Sequence, residues 1–152
     1  MKNFDFAPAP FVPFQDRDVL RRLRPMGAEE LSKHPNPNFR LHVGLNLGSV
    51  MLMDLFARIK ESDEQDKKFV FICGNPNPGT YIPLVEAINY QRINCRNVFP
   101  FTMDEWADDQ DNIAPITYRS GFTYSFLKYF YNRIDPELRM PLENIGYPTT
   151  EN

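Results

Sequence analysis

Two groups of residues in the middle of the chain have the types and spacing that chemistry requires. The first is the adjacent carboxylate pair Asp104 and Glu105, and the second is the turn-forming run Gly74 to Gly79. Each group directly follows an apolar segment that is typical of a buried strand. Ligands of open parallel sheets bind beyond the carboxyl ends of the strands. We therefore expect any functional site of this chain to lie at these two groups.

Further carboxylates after the pair raise the question of a metal site. Acidic residues stand at positions 104, 105, 108, 109 and 111. An EF-hand loop needs a central glycine and a closing glutamate at its twelfth position, and the run around Trp106 and Ala107 has neither. We predict no metal site here. Core filling explains Met51 and Met53, and we also predict no cofactor.

The elements that would position the two groups form a βαβ unit. Residues 69–73 are apolar and rich in β-branched and aromatic types, which predicts a strand. Apolar residues at helical spacing predict a helix over 80–90, with Thr80 as its cap. Residues 97–102 are predicted to form a second strand. A helical crossover of this kind joins parallel strands.

The flanking segments continue the same alternation. Residues 39–45 alternate between apolar and polar types, which predicts a half-buried strand. Helices are predicted over 49–60 and 120–134, the second ending at Asp135 because the residue before Pro136 avoids the helical region. Alternating strands and helices indicate an α/β fold. We predict a three-layer, Rossmann-like parallel sheet.

Residues 1–38 differ from the rest in composition. They contain six prolines, and phenylalanines stand at positions 4, 6, 11 and 14. Proline opposes regular structure, and the aromatic residues are untypical of a solvated tail. We predict an extended arm that lies on its own domain or on a partner, followed by a short basic helix over 16–24. The predicted division is an N-terminal extension, 1–38, and an α/β domain, 39–152.

The composition argues against two classes of partner and for one cellular compartment. The net charge of -3 at pH 7 gives no basic footprint for nucleic acid. No apolar run approaches the roughly 18 residues that a membrane span requires. The two cysteines form no disulfide framework, which is typical of reduced thiols in a cytoplasmic protein.

Several of these segments together resemble one enzyme family. In the segment Phe101 to Trp106, four of six residues agree with the motif Phe-Asn-Met-Asp-Glu-Tyr of the glucosamine-6-phosphate deaminase/isomerase family, which includes the 6-phosphogluconolactonases. Supporting residues follow in the family's order: the loop at Gly74, Thr80-Tyr81, Leu84-Val85-Glu86, Tyr118, Phe126 and Ile134-Asp135. The resemblance covers Arg40 to Asn152, which is similar to the first half of the family domain.

The resemblance implies a modified Rossmann-type α/β sandwich that acts on sugar phosphates. In the deaminases, an aspartate in the position of Asp104 moves the proton between C2 and C1, which a carboxylate held within hydrogen-bonding reach can do. By resemblance, Asp104 and Glu105 are catalytic. The family's loop receives the phosphate through backbone N–H groups at a helix N-terminus. The residues assigned to substrate binding on this basis are Gly74, Asn75, Asn77, Gly79 and Thr80.

The chain departs from the family pattern in two places. Where the family loop reads Gly-Gly-Thr-Pro or close to it, this chain has Gly74 to Asn77, and Pro76 and Pro78 supply no N–H. The family's second half, with a further glycine-rich loop and a histidine, has no counterpart before Asn152. We therefore expect an N-terminal half that is inactive by itself. A non-catalytic binding or assembly module that keeps the fold is the alternative, and the exposed core of a half-domain predicts a homo-oligomer in either case.

Overall fold

The structure, a computed structural model, describes residues 7–74 and 77–151. The chain divides into two compact units, Met1–Leu47 and Gly48–Asn152. In the described part of the first unit, helix α1 spans Arg17–Leu23 and helix α2 spans Ala28–Leu31. The Asp16 side chain caps α1 by accepting hydrogen bonds from the N–H groups of Asp18 and Val19. The short helix predicted over 16–24 is thus confirmed.

The strand predicted over 39–45 is wrong. These residues have no regular secondary structure, and the alternating apolar side chains are exposed, Leu45 completely. An alternating pattern stabilises a strand only when a neighbouring strand supplies hydrogen bonds and covers one face. In the described residues, no strand pairs with this segment.

The predicted aromatic arm lies partly outside the described residues. Phe4 and Phe6 belong to the part that the structure does not describe. Phe11 and Phe14, which it does describe, are exposed. The role of the arm and the domain boundary between residues 38 and 39 both stay predictions.

The second unit contains the predicted βαβ unit. Helix α3, which begins one residue before the unit boundary, spans Leu47–Glu64. Strand β1 spans Phe69–Cys73, helix α4 spans Pro78–Gln91 and strand β2 spans Val98–Thr102. Helix α5 spans Phe122–Tyr129, and single 3-10 turns follow at Tyr131–Arg133, Pro136–Leu138 and Leu142–Asn144. The fold is a mixed helix and strand structure with a small parallel sheet.

The two strands pair in parallel, as predicted from the crossover. Phe69 is opposite Val98, and Cys73 is opposite Thr102. On its other edge, β2 makes a parallel bridge to Gly146, whose N–H donates to the Pro100 carbonyl at 2.9 Å. Within the described residues, β1 has no second neighbour.

One face of the sheet carries the core. Buried Cys73, Val98 and Thr102 lie on this face, and helices contribute fully buried side chains such as Ile59 of α3 and Leu84 of α4. The aromatic core residues contact one another edge to face: Phe71 with Phe130, and Tyr81 with both Phe126 and Phe130. Edge-to-face aromatic pairs stabilise a core beyond the area that they bury.

The opposite face of the sheet is apolar and exposed. Val70, Ile72, Phe101 and Met103 are each more than half exposed, at 63%, 69%, 52% and 64%. The predicted middle layer of a three-layer sandwich would have helices on both faces. In the described residues, only one face is covered.

The boundaries of all three predicted helices need correction. Helix α3 spans Leu47–Glu64 rather than residues 49–60. Asn77, not Thr80, caps α4, because Pro78 occupies the first helical position and proline is favoured there. Helix α5 ends at Tyr129 rather than Ile134, since the backbone of Phe130 (φ -117°, ψ -76°) turns the chain into a 3-10 turn. None of the described helices is long and apolar enough to cross a membrane.

Candidate functional site

The carboxyl ends of β1 and β2 lie side by side. The Met103 N–H donates to the Cys73 carbonyl at 2.9 Å, which continues the sheet by one residue beyond β2. The Cys73 thiol donates to the Phe101 carbonyl at 3.2 Å. Gly74 and Asp104 directly follow these strand ends. The structure therefore brings the two groups that the sequence singled out to one edge of the sheet.

Glu105 is engaged at the N-terminus of α5. Its carboxylate accepts hydrogen bonds from the N–H groups of Phe122 at 3.0 Å and Thr123 at 2.9 Å, and also from the N–H of Trp106. Partial burial acts to raise the pKa of Glu105, but the N–H donors of Thr123, Trp106 and Phe122 outweigh it and lower the pKa below its ordinary value. Glu105 thus joins the end of β2 to the start of α5.

Gly121 makes this contact possible. A Cβ atom at position 121 would lie 3.1 Å from both carboxylate oxygens of Glu105 and 3.0 Å from the Tyr118 carbonyl oxygen. These distances are shorter than ordinary van der Waals contact, so only glycine lets the carboxylate approach the helix end without a shift of its neighbours.

Two further contacts fix the segment on either side of Asp104. The hydroxyls of Thr102 and Thr123 share a buried hydrogen bond of 3.2 Å. The Trp106 indole stacks on Phe122, with ring centroids 5.5 Å apart, and its N–H donates to the Ser120 carbonyl. Residues 102, 103, 105 and 106 are therefore all held by packing or hydrogen bonds, and Asp104 lies between them.

The Asp104 carboxylate itself is exposed and has no hydrogen bond or ion pair within the described part of the chain. Its negative charge nevertheless acts on the Cys73 thiol at the end of β1. Burial is the main cause that raises the pKa of the Cys73 thiol to about 11, and the negative charge of Asp104 adds to the shift. A carboxylate that is unengaged on a rigid backbone is free to bind or deprotonate a ligand.

The loop after β1, which the sequence predicts to bind phosphate, is described in part. Asn75 and Pro76 lie outside the described residues. The Asn77 side chain accepts from the Gly79 N–H at 2.8 Å, and its carbonyl accepts from the N–H groups of Thr80 and Tyr81, each at 3.0 Å. The first N–H groups of α4 are therefore already bonded within the loop. Thr80 is buried rather than presented to solvent.

Asp108, the first acidic residue after the motif, stabilises a loop. Asp108 accepts hydrogen bonds from the N–H groups of Gln110 and Asn112 and from the Asn112 side chain. These donors lower the pKa of Asp108, the Asn112 side chain most strongly. Within residues 7–74 and 77–151, no three His, Cys, Asp or Glu side chains are grouped as metal ligands would be. The expected absence of a metal stays a prediction.

Sequence reasoning missed Thr123 and Gly121 as parts of this site. Both lie close to Glu105 in space but far from it in sequence: Gly121 follows it by 16 positions and Thr123 by 18. The helix was predicted to begin at Ser120, but the structure places its cap at Gly121, which has no side chain to accept hydrogen bonds, so the first N–H groups of α5 required a partner from elsewhere. The roles assigned to the site residues stay predictions.

Comparison with known proteins finds similarity in structure alone. No family model matches the chain, and no curated protein matches it. Among the solved structures, 14 chains match, including a monomeric glucosamine-6-phosphate deaminase described as a missing link of the NagB superfamily. That match has a TM-score of 0.49 and 17% sequence identity, and it covers 66% of this chain and 39% of the deaminase. The deaminase is of the family that the sequence motif resembles.

Proposed function

We propose that this chain is the N-terminal half of a three-layer, Rossmann-like domain of the glucosamine-6-phosphate deaminase type, which acts on a sugar phosphate by proton transfer at C2. The observation that carries the proposal is the state of Asp104. Its four neighbours 102, 103, 105 and 106 are each tied to another element, while its own carboxylate is exposed and unengaged.

The proposed chemistry follows from this arrangement. A carboxylate on a fixed backbone can remove the proton at C2 of an open-chain sugar, next to the carbonyl, and return it at C1. Asp104 is the proposed base. Glu105, predicted to share the catalytic role, is engaged by α5 and is better suited to hold Asp104 in position.

Substrate binding is proposed at the loop between β1 and α4. The assigned residues there are Gly74, Asn75, Asn77, Gly79 and Thr80. Because Asn77 already accepts the Gly79 N–H, a phosphate at this loop would have to replace the Asn77 side chain as the acceptor. The positive end of the α4 dipole would favour that exchange.

The test of the proposal is Asp104→Asn, which keeps the shape of the side chain and removes the base. Loss of a general base typically lowers the rate by about 10²–10⁴-fold. The assay uses glucosamine 6-phosphate and 6-phosphogluconolactone, with this chain and with the longest natural form of the protein. Asp109→Asn, an exposed carboxylate of the neighbouring loop, is the matched control. On a substrate that the unmodified protein demonstrably turns over, a rate of the Asp104 variant within a factor of about three would assign Asp104 a structural role only.

The second candidate is a non-catalytic assembly module, and the exposed sheet face favours it. The outer edge of β1 carries unpaired backbone groups in the described chain, and such an edge pairs readily with another strand. Two β1 edges that meet antiparallel form a self-complementary contact, as a two-fold dimer requires. This contact would join Val70 and Ile72 of both copies in one apolar face. It would also bring Lys67 and Lys68 of one copy toward Asp104 of the other.

Sedimentation velocity tests the homo-oligomer. We expect a dimer at high micromolar concentration and a monomer for Ile72→Lys, whose charge lies on the open face. Met53→Lys, at an exposed apolar residue of α3, should remain dimeric. A monomeric unmodified protein at this concentration would reject the assembly. A cytoplasmic location is also proposed, since Cys73 and Cys95 are both free and buried.

A further inference from the structure

A groove runs beside α5, on residues that the proposed function does not use. Its polar part is a pocket of about 540 Å³ whose lining includes Thr117, Arg119, Tyr124, Lys128 and Asn132. Its apolar part is a pocket of about 410 Å³ whose lining includes Leu142, Ile145 and Tyr147. Ile116 and Leu127 line both pockets, so the two are adjacent. We call the two pockets together the α5 groove.

The polar part of the α5 groove is positively charged. Arg119 and Lys128 have no ion pair with a carboxylate in the described residues, although the chain as a whole carries a net charge of -3. The Lys128 ammonium lies 5.0 Å from the centre of the Tyr129 ring. Hydroxyl and amide groups of Thr117, Tyr124 and Asn132 add hydrogen-bonding partners. An anionic group is the ligand that satisfies these donors.

The apolar part of the groove exposes hydrophobic surface. Leu142 is 55% exposed and Ile116 is 37% exposed. Glu143 also lines this pocket, and its negative charge disfavours an anion at this end. The charges therefore orient a ligand with its anionic group toward Arg119 and Lys128 and its apolar body over Leu142.

Hydrogen bonds within the chain hold the walls of the groove. The Tyr118 N–H donates to the Pro115 carbonyl and the Gly121 N–H to the Tyr118 carbonyl, each at 2.8 Å, which fixes the turn that carries Arg119. On the far side, the Arg139 guanidinium donates to the Asn132 carbonyl at 2.8 Å. A preformed site loses little entropy when it binds a ligand, and each pocket has the size of a small-molecule site.

We propose that the α5 groove binds a small amphipathic anion, a molecule with one carboxylate or phosphate group and an apolar body. This proposal is independent of the reaction proposed above, because neither Asp104 nor the loop after β1 lines the two pockets. The two chemical requirements, charge at one end and apolar surface at the other, can be removed separately.

Isothermal titration calorimetry with octanoate and octyl phosphate tests the proposal. We expect saturable binding of at least one of them with one site per chain. Acetate lacks the apolar body and octyl glucoside lacks the charge, so each should bind about tenfold more weakly or worse, the factor that about 1.4 kcal/mol produces.

Variants locate the binding. The double variant Arg119→Ala/Lys128→Ala and the single variant Leu142→Ser should each weaken binding about tenfold or more. The matched control is Arg58→Ala/Lys67→Ala, which removes two cations that line a different pocket. Ile72→Ser controls for attachment to the open sheet face. Thermal unfolding checks that each variant is folded.

Three outcomes would overturn the proposal. One is the absence of saturable binding of either probe to the unmodified chain. Another is binding that the Arg119/Lys128 variant retains in full while folded. The third is equal binding of octyl glucoside, which would leave an apolar contact without a role for the cations.

Discussion

The two faces of the small sheet differ in what covers them, although their side chains are similar. Val98 on one face is completely buried, and Val70 on the other is 63% exposed. Phe126, which packs with Tyr81 in the core beside the first face, is also completely buried. Phe101 on the second face is 52% exposed.

The difference between the two faces shows that the residue types of these strands are those of a sheet buried on both faces. Strands of parallel sheets read as continuous apolar runs because both faces are buried, and β1, Phe69–Cys73, is such a run. A half-covered sheet would instead favour alternation of apolar and polar residues. The apolar run of β1 is thus typical of a strand covered on both faces, although the described residues cover only one of them.

The largest expected difference in the free energy of unfolding is between substitutions of Phe126 in the core and of Phe101 on the open face. Phe126→Ala should lower the free energy of unfolding by about 3–5 kcal/mol, because it leaves a cavity in the core. Phe101→Ala should cost less than about 1 kcal/mol, since much of its ring is already in water. Urea unfolding of both variants measures the difference. Equal losses would contradict the assignment of the core to one face.

A smaller difference in the free energy of unfolding is expected between substitutions of the two valines, Val98 and Val70. Val98→Ala removes two buried methyl groups and should lower the free energy of unfolding by roughly 2 kcal/mol. Val70→Ala should change it by less than about 0.5 kcal/mol for the monomer at low protein concentration. If the cost of Val70→Ala rises with protein concentration, a second copy contacts Val70. If it equals the cost of Val98→Ala at every concentration, the open face is covered within the chain itself.

The smallest effect concerns Glu105, which ties the covered side of the sheet to α5. Glu105→Gln should lower the free energy of unfolding by about 1 kcal/mol at pH 7, as loss of a helix cap does. The pKa of Glu105 is lowered in the folded protein, so the unfolded chain binds the proton more readily. The contribution of Glu105 is thus full above the unfolded pKa of about 4.3. It is lost as the pH falls through the folded value.

Urea unfolding between pH 7 and pH 3 measures this difference. The control is Glu86→Gln, an exposed glutamate of α4, for which we expect the same stability as the unmodified protein at each pH. A constant difference between Glu105→Gln and the unmodified protein down to pH 3 would refute the role of the carboxylate charge.

Local signals predicted the βαβ unit well. The apolar run over β1 and the helical spacing of α4 are properties of neighbouring residues, and the parallel pairing follows from the length of the connection between the strands. The cap of α4 was predicted wrongly at Thr80, although proline at the first helical position marks the preceding residue, Asn77, as the cap.

Contacts between distant residues could not be read in the same way. The alternation over 39–45 predicted a strand, but pairing decides whether a strand forms, and the described chain supplies no partner. The engagement of Glu105 by Phe122 and Thr123 depends on how α5 packs against β2. The sequence therefore identified the carboxylate pair but did not distinguish the engaged Glu105 from the unengaged Asp104.

The parallel pairing of β1 and β2 also has a consequence for how the chain folds. The Cys73 thiol and the Phe101 carbonyl that it contacts are 28 residues apart, so the sheet cannot form from a local hairpin. The chain loses loop entropy before this contact stabilises it, and such topologies fold slowly. During that interval β1 exposes both of its apolar faces, and self-association of nascent chains competes with folding.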